Sequence, residues 1–253
     1  MPDGGFGGFI IGMKTRFLLF LLTTFFLFFA RGCDSAPQIV ESTKTDIPAG
    51  NDTVLKTVVY AKIHDDMPEF AFIFELSEQN NIDYYDYQID KIIIKNNENS
   101  EFIQELVPSE YAMFGKSPLY YDVSNDLYFA VQDMNFDRYA DIRIIDFLPA
   151  GPNVPYICWV WDIEDGQYVY DAALSGINAI EVDFENEIMW ASERISGGVS
   201  HTNYYRYNDG VLTKIKEIRT EYDEDEDEYY ATTYELIEGQ WIMTNKEIVR
   251  FAC

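Results

Sequence analysis

The chain has only two histidines and three cysteines, and 18 lysines and arginines stand against 44 aspartates and glutamates. Each shortage closes a route. His64 and His201 lie far apart in the sequence and form no His-Glu-x-x-His helix and no Cys-His couple. A Gly-x-Ser-x-Gly elbow and a P-loop are also missing. Acidic pairs abound but no two are singled out, so the chain is expected not to be an enzyme. A net charge of −26 argues against nucleic acid, whose phosphates need Lys and Arg, and against docking on anionic lipid. It favours cations and a basic protein partner, with fast, salt-sensitive association. Helical i, i+3, i+4 spacing is scarce as well.

Long apolar runs are lacking too, apart from one near the start. Met13-Lys14-Thr15-Arg16 is followed by an uncharged stretch from Phe17 to Ala30 and then by Arg31-Gly32-Cys33. Its 14 residues fall short of the ~20 of a membrane span and suit the h-region of a secretion signal. Residues 1–32 are therefore expected to be a signal peptide whose true start is Met13. Ala30 and Gly32 before Cys33 resemble the lipobox of bacterial lipoproteins, with Arg31 as a departure, which makes Cys33 the expected lipidation site. Cleavage there removes three basic residues and one acid, leaving 15 against 43, a net charge of −28. The segment 33–52 reads as a lipidated tether. The body is placed in the cell envelope, periplasmic or surface-exposed, and touches membrane only through the anchor. Cys158 and Cys253 remain, either as a disulfide or as two buried thiols.

What is abundant is β-forming: 19 Tyr, 18 Phe and 4 Trp, with many Ile and Val. The runs 87–94, 127–131, 142–147 and 156–161 are expected strands. Glu164-Asp165-Gly166, Asn208-Asp209-Gly210 and Glu238-Gly239-Gln240 are expected hairpin turns. Residues 53–253 are thus expected to form a single all-β domain, a β-propeller-like one or, as the alternative, a β-sandwich. The acidic run Tyr222 to Glu228 is expected at a solvated hairpin tip.

The densest chemistry lies in Asp133-Met134-Asn135-Phe136-Asp137-Arg138-Tyr139-Ala140-Asp141. Oxygen-bearing side chains recur at loop positions 1, 3, 5 and 9, and position 7 offers the Tyr139 carbonyl. Ca²⁺ takes about six to eight such oxygens, so Asp133, Asn135, Asp137, Tyr139 and Asp141 are the candidate ligands, with Asp146 a further one. The loop is no EF-hand, since Ile144 holds the position of the bidentate Glu. Arg138 occupies the place where Gly usually turns the backbone through positive φ.

This stretch resembles the Asp-x-Asn-Phe-Asp-Gly-Tyr-x-Asp-Leu-Arg signature of a family of exported bacterial proteins. The likeness continues through Gly151-Pro152-Asn153, Tyr156 to Asp162, Gly166 to Tyr168, Ser192 to Tyr207 and Asp209 to Leu212. That family is similar to periplasmic calcium-binding lysozyme inhibitors, immunity proteins against the peptidoglycan-cleaving effectors of bacterial-killing secretion systems. The resemblance implies a propeller-like fold, a structural Ca²⁺ and a lysozyme-like enzyme as partner. Such an inhibitor must fill a cleft lined by two carboxyl groups about 5–9.5 Å apart. Ser196, Gly197, Gly198, Ser200 and His201, in a neutral donor-rich segment, are the candidate inhibitory loop. A surface adhesion or scaffold module of the integrin-propeller kind and an uncharacterised hydrolase are the alternatives.

Overall fold

The computed structural model describes residues 55–78, 87–115, 118–119, 127–196 and 198–250. The expected signal peptide, Cys33, the tether, Gly197 and Cys253 lie outside them. The described chain is all-β. Strands β1 (Leu55–Lys62), β2 (Glu69–Glu78), β3 (Tyr87–Asn96) and β4 (Phe102–Leu106) form a first antiparallel sheet, with the short β5 (Pro118–Leu119) also on β3. β6 (Phe129–Gln132), β7 (Asp141–Ile145), β8 (Tyr156–Asp162) and β9 (Gln167–Tyr170) form a second. One helical turn, α1 (Ala172–Ser175), precedes the third sheet of β10 (Ile180–Asp183), β11 (Ile188–Ser196), β12 (Val199–Asn208), β13 (Val211–Asp223), β14 (Glu228–Ile237) and β15 (Gln240–Ile248). Apart from β5, neighbours in sequence are neighbours in each sheet, and among the described residues no sheet closes on itself.

Hydrophobic alternation places the core. Phe70, Phe72, Phe74 and Leu76 of β2 point inward together and are buried, as a period of two requires. In β3 the buried set is Ile89, Ile92 and Ile94, a skip explained by the unpaired Asp90 between Lys91, which faces Glu75, and Ile89, which faces Leu76. The bulge keeps the next isoleucines on the core side. Aromatic rings from the first two sheets interlock: Phe72 meets Phe129 at 5.4 Å and Tyr168 at 6.2 Å, and Phe70 meets Trp161 at 5.6 Å.

Side-chain amides stitch the sheets where backbone pairing stops. Gln104 Nε2 donates to the Tyr168 carbonyl at 2.8 Å, and the Tyr168 N–H donates to Gln104 Oε1 at 2.8 Å. Asn153 does the same for Arg194, donating to its carbonyl at 3.0 Å and accepting from its N–H at 2.8 Å. Each amide imitates a peptide group and satisfies a strand edge that would otherwise be open.

The turns follow the expected chemistry. Asp209 and Gly210 take φ of 50° and 75°, and Glu238 and Gly239 take 50° and 78°, the positive values that a two-residue hairpin needs. The acidic run tops the β13–β14 hairpin, where the Tyr222 hydroxyl donates to Asp227 and that of Tyr230 to Glu226. The last strand of the third sheet, β15, is exposed along its whole length. Cys158 is a free, fully buried thiol, and burial pushes its pKa up to about 12. The other cysteine of the possible pair, Cys253, lies outside the described residues. Among the described residues no helix is long and apolar enough to cross a membrane.

Candidate functional site

The Asp133–Asp141 loop is the connection between β6 and β7, two neighbouring strands that are themselves buried. Its last acid, Asp141, opens β7 and is completely enclosed. One of its oxygens accepts the Met134 N–H at 2.8 Å and the Asn135 N–H at 3.2 Å. The other accepts the Trp161 N–H of β8 at 3.0 Å. Asp133 curls over the loop, accepting from the N–H groups of Asp137 at 3.2 Å and Arg138 at 2.8 Å. Asn135 Oδ1 accepts the Asp137 N–H at 3.0 Å while its Nδ2 donates to Asp137 Oδ2 at 2.9 Å. The Tyr139 N–H donates to Asp137 Oδ1 at 2.8 Å.

Asp and Asn side chains favour such bonds to backbone two residues on. Their price is backbone conformation: Phe136 and Arg138 take φ of 63° and 76°. Arg138 therefore adopts the left-handed turn expected of Gly at this position, at a cost of roughly 1–2 kcal/mol for a residue with a Cβ.

The electrostatics are unbalanced. Burial raises the proton affinity of Asp141 well above the usual carboxylate range; the backbone donors lower it, but the charges of Asp137 and Asp133 raise it further. Asp133 is raised by burial and by Asp137 against the pull of the backbone N–H groups. Three carboxylates thus crowd one loop, and none has a Lys or Arg in ion-pair contact among the described residues. In donor type and order the loop suits a hard cation. Among the described residues, however, no three acidic, His or Cys side chains converge as a ready metal cage. The carboxylates point instead to backbone N–H groups, those of the loop itself and, for Asp141, that of Trp161.

Asp146 is not brought to the loop. It stands past the far end of β7, five residues or about 16 Å from Asp141 along an extended strand, and accepts the Met113 N–H at 3.1 and 3.2 Å. Burial raises its pKa. Ile144 is buried inside β7 and offers nothing to a cation.

Rigid anchors hold the loop at both sides. Met134 is fully buried, Phe136 and Tyr139 pack against the core, and the Ala140 N–H donates to the Ile63 carbonyl at 2.7 Å. The Tyr168 hydroxyl donates to the Ala140 carbonyl at 3.2 Å. His64 stacks on Tyr139. No sequence signal marks this contact, because the two residues are joined only through packing.

The segment singled out as an inhibitory loop is a tight hairpin. Ser196 pairs with Val199, leaving Gly197 and Gly198 between them. Gly198 has φ of 139°, and an added Cβ would lie 2.7 Å from the Tyr229 hydroxyl. Ser200 is a strand residue paired with Arg194 and Thr220. His201 belongs to a charged cluster that sequence reasoning missed. Its Nδ1 lies 3.5 Å from Glu217 Oε1, while Lys214 and Arg219 reach Glu217 at 3.1 and 2.8 Å. Burial alone would raise the Glu217 pKa, but these two cations lower it overall. Strand pairing assembles this group from β12 and β13; only the alternation of residues 217 and 219 on one face hints at it.

No protein-family profile matches the chain, and no curated protein sequence does. Among solved structures it is similar to a Xanthomonas protein described as related to a type IV secretion system. That match has a TM-score of 0.53 at 9% identity and covers 81% of this chain and 100% of the other. At such identity the likeness speaks for the fold. A Bacteroides fragilis protein with unknown function aligns at a TM-score of 0.27 and 10% identity, over 86% of this chain and 96% of that one.

Proposed function

We propose that this chain is an exported bacterial lipoprotein whose β-domain binds and inhibits a basic, lysozyme-like peptidoglycan-degrading enzyme. In this reading the domain is a propeller-like immunity-type module, anchored through Cys33, with no catalysis of its own. Ca²⁺ is its structural ion, held by Asp133, Asn135, Asp137, the Tyr139 carbonyl and Asp141. One observation carries the reading: three mutually repelling carboxylates are fixed in a strained loop on a rigid core, with no Lys or Arg in ion-pair contact among the described residues. A divalent ion would cancel that repulsion and stiffen the body that presents a binding surface. The description of the Xanthomonas protein as secretion-system related supports it, as does an acidic surface suited to a basic enzyme. The Ser196–His201 hairpin, at one end of the third sheet, is the proposed element for the enzyme cleft.

The test is clearance of a cell-wall suspension by a lysozyme, with the purified chain added at equimolar ratio, in Ca²⁺ and then in chelator. Inhibition in Ca²⁺ that weakens in chelator supports the reading. An unchanged clearance rate at tenfold excess of the chain removes it. Inhibition that survives replacement of Ser200 and His201 by bulky residues moves the contact elsewhere on the domain.

A further inference from the structure

The outer edge of β15 is covered by nothing among the described residues. All nine residues of the strand are exposed, with Trp241 and Ile242 at 43%, Met243 at 57% and Ile248 at 45%. Edge strands ordinarily deter pairing with Pro, charge or extreme shortness. Gln240–Ile248 holds no Pro, and its two charges, Lys246 and Glu247, cancel.

The backbone adds a constraint on what can pair there. In an antiparallel sheet, hydrogen-bonding groups point alternately toward one neighbour and the other. The Val249 N–H donates inward to the Tyr229 carbonyl at 2.8 Å, so residues 247 and 245 also face β14 while 248 and 246 face out. Asn245 pairs with Thr233 and Met243 with Tyr234, which leaves Thr244 as a bulge. Past the bulge the alternation resumes with 243 and 241 facing out. The free positions are therefore 241, 243, 246 and 248, spaced two, three and two residues apart. A regular strand offers its groups every second residue and falls out of step at Thr244. A second β15 running antiparallel presents the same spacing, because the pattern reads alike in both directions.

We propose that β15 is the interface of a two-fold dimer of this chain, in which two copies of the edge pair antiparallel and join their third sheets. Trp241 then faces the partner's Ile248, and Met243 faces the partner's Lys246, as hydrogen-bonded pairs. Ile242 faces the partner's Glu247 as a non-hydrogen-bonded pair, and the two bulges meet at the axis. The side chains agree with this register. Trp241, Met243, Lys246 and Ile248 stand opposite Leu236, Tyr234, Thr232 and Tyr230 of β14, alternate residues that share one face of the sheet. Each contact repeats by symmetry, as an isologous interface demands. The edge is neutral whereas each chain carries −26, so overall repulsion opposes the dimer and salt, by screening it, strengthens the association. Eight residues per copy place the contact at or below the low end of the about 1,200–2,000 Å² of stable interfaces, which makes the dimer concentration-dependent.

Disulfide capture in the full chain, purified in mild detergent, tests the register. Ile242→Cys and Glu247→Cys variants, mixed and oxidised, are expected to form a cross-linked dimer well above the background of either variant alone. Added salt should raise the yield. Met243→Pro removes an N–H that β14 does not use, so the sheet keeps its far-ultraviolet spectrum while the cross-link falls to background. Trp241→Glu, which disrupts the same edge by replacing the apolar side chain that faces the partner's Ile248 and leaves the backbone untouched, is expected to do likewise and decides the matter if the proline variant unfolds. A mixture no more cross-linked than its separate components overturns the proposal, as does a cross-link that persists in folded Trp241→Glu protein.

Discussion

The imidazole of His64 stacks on the phenol ring of Tyr139, with centroids 4.3 Å apart and planes 14° from parallel. The contact ties the β1–β2 turn to the Asp133–Asp141 loop, next to the 2.7 Å bond from the Ala140 N–H to the Ile63 carbonyl. Tyr139 thereby joins the first sheet to the loop whose carbonyl is the proposed seventh-position ligand. The turn and the loop should therefore respond together.

A double-mutant cycle measures that link. His64→Ala and Tyr139→Ala are each expected to destabilise the domain, with a coupling of about 0.5–1.5 kcal/mol, the range of paired aromatic rings. Denaturant unfolding of the four proteins checks it. Strict additivity would mean the rings merely lie near each other.

Arg138→Gly should stabilise the protein. The left-handed backbone at φ of 76° costs Arg roughly 1–2 kcal/mol that Gly avoids, partly offset by the greater freedom of Gly in the unfolded chain. The substitution also removes a positive charge beside the acidic loop, so calorimetric Ca²⁺ affinity is expected to rise with the melting temperature. A fall in both would mean that the Arg138 side chain supports the loop.

Phe72 sits at the meeting of two sheets, fully buried against Phe129 and Tyr168. Phe72→Ala leaves a cavity there and should cost about 3–5 kcal/mol. Chemical denaturation is the measurement, and a loss under about 1 kcal/mol would show that the sheets close over the gap.

Glu217 gives a pH dependence of definite sign. Lys214 and Arg219 hold its folded pKa below the ordinary glutamate value of 4.5, so the unfolded chain takes up the proton first. The stabilisation is present above pH ~4.5 and is lost as pH falls through the folded value. Glu217→Gln should therefore lower stability at pH 7 by about 1–3 kcal/mol, the worth of charged hydrogen bonds, and flatten the stability profile in the acid range. Thermal melts from pH 3 to 7 of both proteins test this.

Much of the architecture was legible because local chemistry dictates it. The runs 87–94, 127–131, 142–147 and 156–161 became β3, β6, β7 and β8 within a few residues of their ends, since alternation and β-branching act on each strand separately. The turns at Gly166, Asp209-Gly210 and Glu238-Gly239 were readable for the same reason: positive φ selects few residue types.

Amino-acid order by itself determined the strand set, the hairpins and the acidic loop, because each depends on residues within reach of one another along the chain. Tertiary structure alone decided that Asp146 stands at the far end of β7, that Ser200 and His201 are strand residues with His201 beside Glu217, and that Gln104 and Asn153 bridge sheets. Those outcomes depend on which strands become neighbours, and such long-range pairing is set by burial of the whole core, to which no short stretch of sequence has access.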